Sequence, residues 1–224
     1  MAPVLAQHLS RDYLIRLTDR ESVSSSFEFV PCALEQDAAT DALVKGVHAI
    51  VHVAEPSPGD DEKQGMEWLT RGTYNLLMAA SRTGVARAVY LSTLDVMTPY
   101  DPAYTVSESW RPLPSTDARV MSKHLGEYVC KEFARDRKIR ATSLRLGNVV
   151  RQEQAKGKPF DPLWVDERDV CHAVTQALRV TPKDSAMGVG SWWAIYHIGS
   201  DSPAARFAVS GAKNGIAYEP QVRW

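Results

Sequence analysis

Gly72-Thr73-Tyr74-Asn75-Leu76-Leu77-Met78-Ala79-Ala80-Ser81-Arg82-Thr83-Gly84-Val85-Ala86-Arg87-Ala88-Val89-Tyr90-Leu91-Ser92-Thr93 is the stretch that decides the fold. A helical pattern runs to Gly84, which sits where a left-handed C-cap falls. The run Ala88-Val89-Tyr90-Leu91 that follows is nearly continuous in apolar character, as expected of a parallel strand covered on both faces. The same arrangement stands just upstream, with Gly46 before Ala49-Ile50-Val51-His52-Val53. Tyr13 to Leu17, Phe27 to Pro31 and Arg140 to Arg145 read as further strands, with helices between them. This alternation predicts an α/β fold with a doubly wound parallel sheet. Two long surface loops are expected, from Pro99 to Ser115 and from Ala155 to Pro159, where Pro and Ser or Gly and Lys gather.

A chain of 224 residues, 44% of them hydrophobic, is long enough for one sizeable core with a small appended lobe. A net charge of -1 and a pI near 6.6 give no electrostatic reason to expect nucleic acid or an anionic membrane as partner. Small molecules are the expected ligands, and a homodimer is left open. The three cysteines, Cys32, Cys130 and Cys171, lie far apart among apolar neighbours and read as buried thiols in a reducing compartment. No spacing suggests a metal site. There is no run of eighteen apolar residues and no signal-peptide pattern at the N-terminus, so a cytoplasmic location is expected.

The second informative stretch is Ser115 to Glu127, Ser-Thr-Asp-Ala-Arg-Val-Met-Ser-Lys-His-Leu-Gly-Glu. Ser115 or Thr116 is expected to cap a helix whose buried face carries Met121, Leu125, Val129 and Phe133 at steps of four. Arg119, Lys123 and Glu127 form a second stripe at the same spacing, which in isolation reads as a solvated charged face.

Taken together, these segments resemble the extended short-chain dehydrogenase/reductase family, the NAD-dependent epimerases and dehydratases. Gly72 to Ala80 is similar to that family's Gly-Thr-x-Asn-Leu-Leu-x-Ala-Ala helix, and Leu144-Arg145-Leu146-Gly147-Asn148-Val149 to its Leu-Arg-Pro-x-Asn-Val strand end. Trp164 to Val170 with Ala173 resembles the segment that closes the fold, and Ile198 to Pro203 with Tyr218-Glu219-Pro220 resembles its tail. The resemblance implies a Rossmann-type dinucleotide-binding domain over residues 1-150, with a substrate-side lobe plus closing elements over 151-224. It also implies NAD- or NADP-linked oxidation, epimerisation or dehydration of a sugar, uronate or nucleotide sugar. By the same resemblance Thr93 and Lys123 are the catalytic candidates. Lys123 also binds the nicotinamide ribose, and Thr93 and Asn148 face substrate. Asp19, Arg20, Leu34 and Ala54 fall on the cofactor. Asp19 suits the ribose hydroxyls of NAD, and Arg20 suits the 2′-phosphate of NADP.

The departures from the family pattern carry as much information. Arg119 holds the position of the catalytic tyrosine, and a guanidinium stays protonated and cannot serve as base. Tyr100 and Tyr104 are the nearby phenols in the loop between Thr93 and Lys123. Ala33 replaces the acid that holds adenine, and Leu69 and Leu146 replace an asparagine and a proline. Glu55 falls where the cofactor phosphates are expected, so like charges would repel. The family's opening strand and Gly-x-x-Gly-x-x-Gly turn have no counterpart. Met1 to Leu9 looks like the first helix, entered just after the third glycine. In the strand order 3-2-1-4-5-6 the absent strand is central, so two unpaired edges are expected inside the sheet. A misassigned start or a decayed gene would each account for it. The chain as given is expected to be catalytically impaired and to bind dinucleotide weakly or not at all, a pseudoenzyme being one outcome. His52 reads as a strand residue, Trp192 and Trp193 as packing residues, and Asp166, Arg168 and Asp169 as helix-capping groups.

Overall fold

The alternating pattern resolves, in the computed structural model, into a layered α/β arrangement described over residues 1–57, 59–182, 190–202 and 204–223. The first half runs α1 (Ala2–Leu9), β1 (Arg16–Leu17), β2 (Glu28–Phe29), α2 (Ala38–Leu43), β3 (Ala49–His52), α3 (Glu62–Glu67), α4 (Thr73–Thr83) and β4 (Arg87–Thr93). The second half runs α5 (Ala118–Arg135), β5 (Arg140–Leu146), β6 (Asn148–Val150), α6 (Gln152–Ala155), β7 (Trp164–Asp166), α7 (Glu167–Arg179), β8 (Trp193–Ile198) and α8 (Ser210–Ile216). A π-helical turn over Trp68–Gly72 joins α3 to α4.

The main sheet is parallel throughout, in the order β3-β4-β5-β8. Alternate residues of β4 serve opposite layers, as a strand period of two requires. Ala88 and Tyr90 join a core with Leu76, Leu77, Cys130 and Phe133 of α4 and α5. Val89 and Leu91 join one with Leu5 and Leu9 of α1 and Val170 and Val174 of α7. Helices therefore cover both faces, and the sheet is doubly wound. Gly46 and Gly84 adopt left-handed φ of 75° and 80°, each turning a helix end into the next strand.

The expected discontinuity is present among the described residues. β1 pairs only with β2, in a separate two-stranded parallel sheet, and β3 has a strand partner only in β4. All four residues of β3 remain partly exposed, although its partner β4 is buried from Ala88 to Thr93. The strand expected over Tyr13–Leu17 shrinks to two residues, with Tyr13 exposed and Leu14 fully so. A strand without a partner on one edge loses the ladder bonds and packing that would hold it extended.

β6 and β7 form a third small parallel ladder, and the loop after β4 packs with Phe207 to make a satellite core of Leu94, Val96, Met97, Val106 and Val120. Gly147 permits the approach of this ladder to β5, since a Cβ there would lie 1.9 Å from the Leu163 carbonyl oxygen. β8 completes the main sheet against β5. Trp193 is buried in the core, and the Arg140 guanidinium lies 4.5 Å over the Trp192 ring. Pro203, the end of the tail motif, lies outside the described residues.

Two expectations for α5 need correction. Its N-cap is Asp117, whose side chain accepts from the Val120 N–H at 2.9 Å, so neither Ser115 nor Thr116 holds that role. Of the Met121, Leu125, Val129, Phe133 stripe only Phe133 is buried; Leu125 is exposed and Met121 and Val129 are half-buried, while Lys123, Gly126, Glu127, Cys130 and Ala134 complete the buried face. Steric fit decides this. A Cβ at Gly126 would stand 2.1 Å from the Tyr90 hydroxyl, so the glycine face is the one that can press on the sheet. The charges on that face find partners inside, and the stripe is not a solvated one.

Candidate functional site: an ion cluster at the strand ends

The carboxyl ends of β3 and β4 meet the first turns of α5, and four charged side chains converge there. Lys123 is 1% exposed, and its ammonium donates to the Val53 carbonyl at 2.9 Å and the Leu91 carbonyl at 2.8 Å. It also contacts Glu55 Oε1 at 2.9 Å. An ammonium has three N–H bonds, and these three acceptors use all of them. Arg119 grips the same Glu55 through Nε and Nη2, both at 3.1 Å, and reaches Asp95 Oδ2 through Nη1 at 3.3 Å. Two cations and two carboxylates thus neutralise one another. Arg119 points into the site, but its charge is already matched.

Burial lowers the Lys123 pKa to about 8, with Arg119 adding to the effect and Glu55 opposing it. Burial raises the Glu55 pKa, but Lys123 and Arg119 outweigh it and hold the carboxyl below its ordinary value. A lysine whose folded pKa lies below its unfolded one contributes stability that is present above the unfolded value and lost as pH falls through the folded value. Glu55→Gln removes the group that raises Lys123, so its folded pKa is expected to drop below about 8. The stability of the variant relative to the parent should then keep falling as pH is lowered beneath about 8, where the parent's contribution from this lysine levels off. Urea unfolding of both proteins across neutral and mildly alkaline pH checks this, and parallel pH profiles would reject it.

Thr93 ends β4 beside this cluster. Its hydroxyl donates to Asp95 Oδ2 at 2.7 Å and accepts from the Asp95 N–H at 3.1 Å, capping the short 3-10 helix Leu94–Met97. Ser92 donates to Glu127 Oε1 at 2.6 Å. Glu127 also receives both arms of Arg145, each at 2.8 Å, in a pair that is 4% and 2% exposed. Arg145 lies directly across the ladder from Ser92, so strand register sets this network under the site. Asn148 begins β6 at the exposed rim and is not drawn into the cluster. Among the sequence candidates, the fold brings Thr93, Lys123 and Arg119 together, and adds Glu55 and Asp95.

Beyond the end of β1, Arg20 Nη2 donates to both carboxylate oxygens of Asp60, at 2.7 and 2.6 Å, and the guanidinium lies 4.9 Å over the Trp68 ring. Asp19 turns its carboxylate to the Arg20 backbone N–H. Leu34 and Ala54 both take left-handed φ, 51° and 52°, a costly conformation for a residue with a Cβ. The Leu34 carbonyl is held by Asn75 Nδ2 at 2.8 Å. The cavity beside Leu34, lined also by Arg20, Ala33, Trp68 and Arg71 among others, is about 110 Å³, well below the size of a drug-sized ligand site. The Tyr100 hydroxyl donates to the Arg111 carbonyl at 2.7 Å, and Tyr104 is exposed against Trp110. A phenol that does meet the Lys123 backbone is Tyr90, which donates to the Lys123 carbonyl at 3.3 Å and has its pKa raised by burial. His52 Nε2 pairs with Thr73 Oγ1 at 2.9 Å, and among the described residues no cluster could hold a metal ion.

The fold and the position of this cluster define a Rossmann-type α/β protein with its candidate site at the carboxyl ends of the parallel strands. The chain belongs to the NAD-dependent epimerase/dehydratase family, whose profile matches residues 3–162. It is 23% identical to the uncharacterised protein YtbQ of Bacillus subtilis (strain 168), over 98% of this chain and 89% of that protein. In fold it is similar to a mutant of Agrobacterium tumefaciens uronate dehydrogenase complexed with NAD, with a TM-score of 0.81 at 21% identity, covering 98% of this chain and 80% of that one. It is also similar to MoeE5 in complex with UDP-glucuronic acid and NAD, with a TM-score of 0.77 at 16% identity, covering 99% and 90%. No described helix is long and apolar enough to cross a membrane.

The residues present do not fit a nicotinamide dinucleotide held in the family's manner. Lys123 has no N–H left for a ribose hydroxyl, Glu55 sits against it, Arg20 is committed to Asp60, and the adenine-side cavity is small.

Proposed function

We propose that this chain is a family member that does not carry out nicotinamide-linked hydride transfer as it stands. The position of the proton relay is taken by the Glu55–Arg119–Lys123–Asp95 cluster, which ties together the ends of β3, β4 and α5. The observation that carries the reading is the saturated Lys123 ammonium, with a guanidinium four residues before it where the family has its phenol. What it retains is the substrate side, Thr93 and Asn148. Fold neighbours that are uronate dehydrogenases or bind UDP-glucuronic acid make a uronate or nucleotide sugar the ligand class we assign to it. Residues 1-150 would then be the Rossmann-type part, and 151-224 the substrate-side lobe with the closing elements.

Calorimetric titration with NAD, NADH and NADP is expected to give no saturable heat at micromolar protein. Uronates and nucleotide sugars should bind without reduction of nicotinamide. A micromolar dinucleotide constant, or turnover at ordinary enzymatic rates, would overturn the reading and call for another proton acceptor, with Tyr100 and Tyr104 the first to mutate.

A further inference from the structure

Beyond α8 the chain returns over the N-terminal end of α7 as a strap, residues 218–223. Its side chains alternate as an extended segment requires: Tyr218 and Val222 are buried, Pro220 is half-buried between them, and Glu219, Gln221 and Arg223 are exposed. Three bonds seat it. The Tyr218 hydroxyl donates to the Gly199 carbonyl at 3.0 Å, the Gln221 N–H donates to Asp169 Oδ1 at 2.5 Å, and Gln152 Nε2 of α6 donates to the Arg223 carbonyl at 3.2 Å. The Gln152 N–H also donates to Asp166 Oδ2 at 2.8 Å, and Asp166 ends β7, which pairs along its length with β6 from Asn148 onward. The strap, α6, α7 and the β6–β7 ladder are thus held by one connected set of bonds.

The middle bond is the unusual one. Asp169 is 0% exposed, and its Oδ2 is buried with no hydrogen-bond partner among the described residues. No cation compensates it there, since Arg168 is held by Asp166 at 2.8 Å and Arg151 by Glu167 at 2.9 Å. On α7 itself the titratable neighbours are Asp166, Glu167, Arg168, Cys171 and His172, whose ring lies 6.0 Å from that of Tyr218. The strap brings Tyr218, Glu219 and Arg223, α6 brings Glu153, α8 brings Lys213 already paired with Asp201, and α1 brings His8, bonded to Thr175. A buried carboxylate oxygen without a donor is costly, and a neutral carboxyl costs less. Burial accordingly raises the Asp169 pKa to about 6 from an ordinary 3.8; Asp166 adds to the rise, and the N–H groups of Gln221 and Val222 and the Arg168 charge oppose it. With the strap lifted, the carboxyl meets water and returns toward its ordinary value. A carboxyl whose pKa is raised by docking favours the docked state fully below its free pKa, and that advantage is lost as pH rises through the docked one.

We propose that residues 218–223 are a proton-sensitive strap, seated on Asp169 most firmly in mild acid and released toward neutral pH, which sets how tightly α6 and α7 are clamped beside the β6–β7 ladder. The device is independent of the strand-end chemistry. Its readout is amide hydrogen exchange by NMR in the full chain, corrected for the intrinsic rate at each pH and taken relative to the Leu144 amide in β5. The protection of the Gln221 and Val222 amides should fall about tenfold between about pH 5 and about pH 7.5, and the Asp169 carboxyl carbon resonance should titrate with the same midpoint, about 6. Asp169→Asn places a neutral group of the same shape there, and should hold both amides at the parent's acid level across the range. His172→Gln should keep the parent's profile. If the Asn variant does not fold by circular dichroism, agreement between the parent's carboxyl midpoint and its protection midpoint decides the matter. A carboxyl midpoint near the ordinary 3.8 would overturn the proposal. So would protection that does not change with pH, a profile that survives in Asp169→Asn, or one that disappears in His172→Gln.

Discussion

Glu127→Gln is expected to destabilise the protein by about 3–5 kcal/mol, because it leaves the Arg145 guanidinium buried without its carboxylate. Burial alone would raise the Glu127 pKa, but Arg145, then His124 and Ser92, outweigh it and bring the pKa down to about 2 from an ordinary 4.5. A carboxyl depressed on folding contributes stability that is present above its unfolded pKa and lost as pH falls through the folded one. The window is therefore about pH 4.5 down to about 2. Over that span the parent should lose roughly 3 kcal/mol that the Gln variant never had, at about 1.36 kcal/mol per pH unit. The two urea-unfolding profiles should converge as acid is added. The double change Glu127→Leu with Arg145→Met removes both charges and should recover most of the loss, since an apolar pair of similar volume often replaces a buried ion pair without cost. A double variant as unstable as Glu127→Gln would show that Arg145's other contacts, including Met97 Sδ at 3.1 Å, carry the stability instead.

This network was only partly legible in the sequence. β4 and α4 could be read directly, since apolar continuity and Gly84 are local signals that tertiary packing reinforced. The face of α5 was not, because a periodic charged stripe reads as solvated unless its partners are known. Glu55 lies far from Lys123 along the chain, and Arg145 comes from the next strand. Their pairing is a property of strand register and of the close approach that Gly126 allows. Lys123 and Arg119 were singled out only because of the family resemblance, and that resemblance carried no information about Asp95. Glu55 was expected to point at cofactor phosphates, and it turns instead to the two cations beside it. β8 drew no local strand assignment, because its start at Trp193 reads as a packing aromatic.

The largest gain in stability should come from filling the break between β1 and β3. Among the described residues each has an edge without a strand partner, and half-buried Ile15, Val51 and Val53 pack at the margin of the core beside it. A short apolar strand followed by Gly-x-x-Gly-x-x-Gly, fused ahead of Met1, could pair in parallel with both edges and lead directly into α1. The ladder bonds gained are worth roughly 0.5–1.5 kcal/mol each, against roughly 1–2 kcal/mol for each residue ordered, and newly buried apolar surface tips the balance. A net gain of about 3 kcal/mol corresponds to a melting temperature higher by roughly 6–12 °C in a chain of this size. A polar extension of equal length serves as the control, and equal melting temperatures for the two fusions would mean that the edges do not accept a strand. The same fusion separates two causes of the weak cofactor binding proposed above. If the absent glycine turn were the sole obstacle, the fusion alone would bind NAD at micromolar concentration. The saturation of Lys123 predicts that it will not, and that Glu55→Ala must be added to free one ammonium N–H for the ribose.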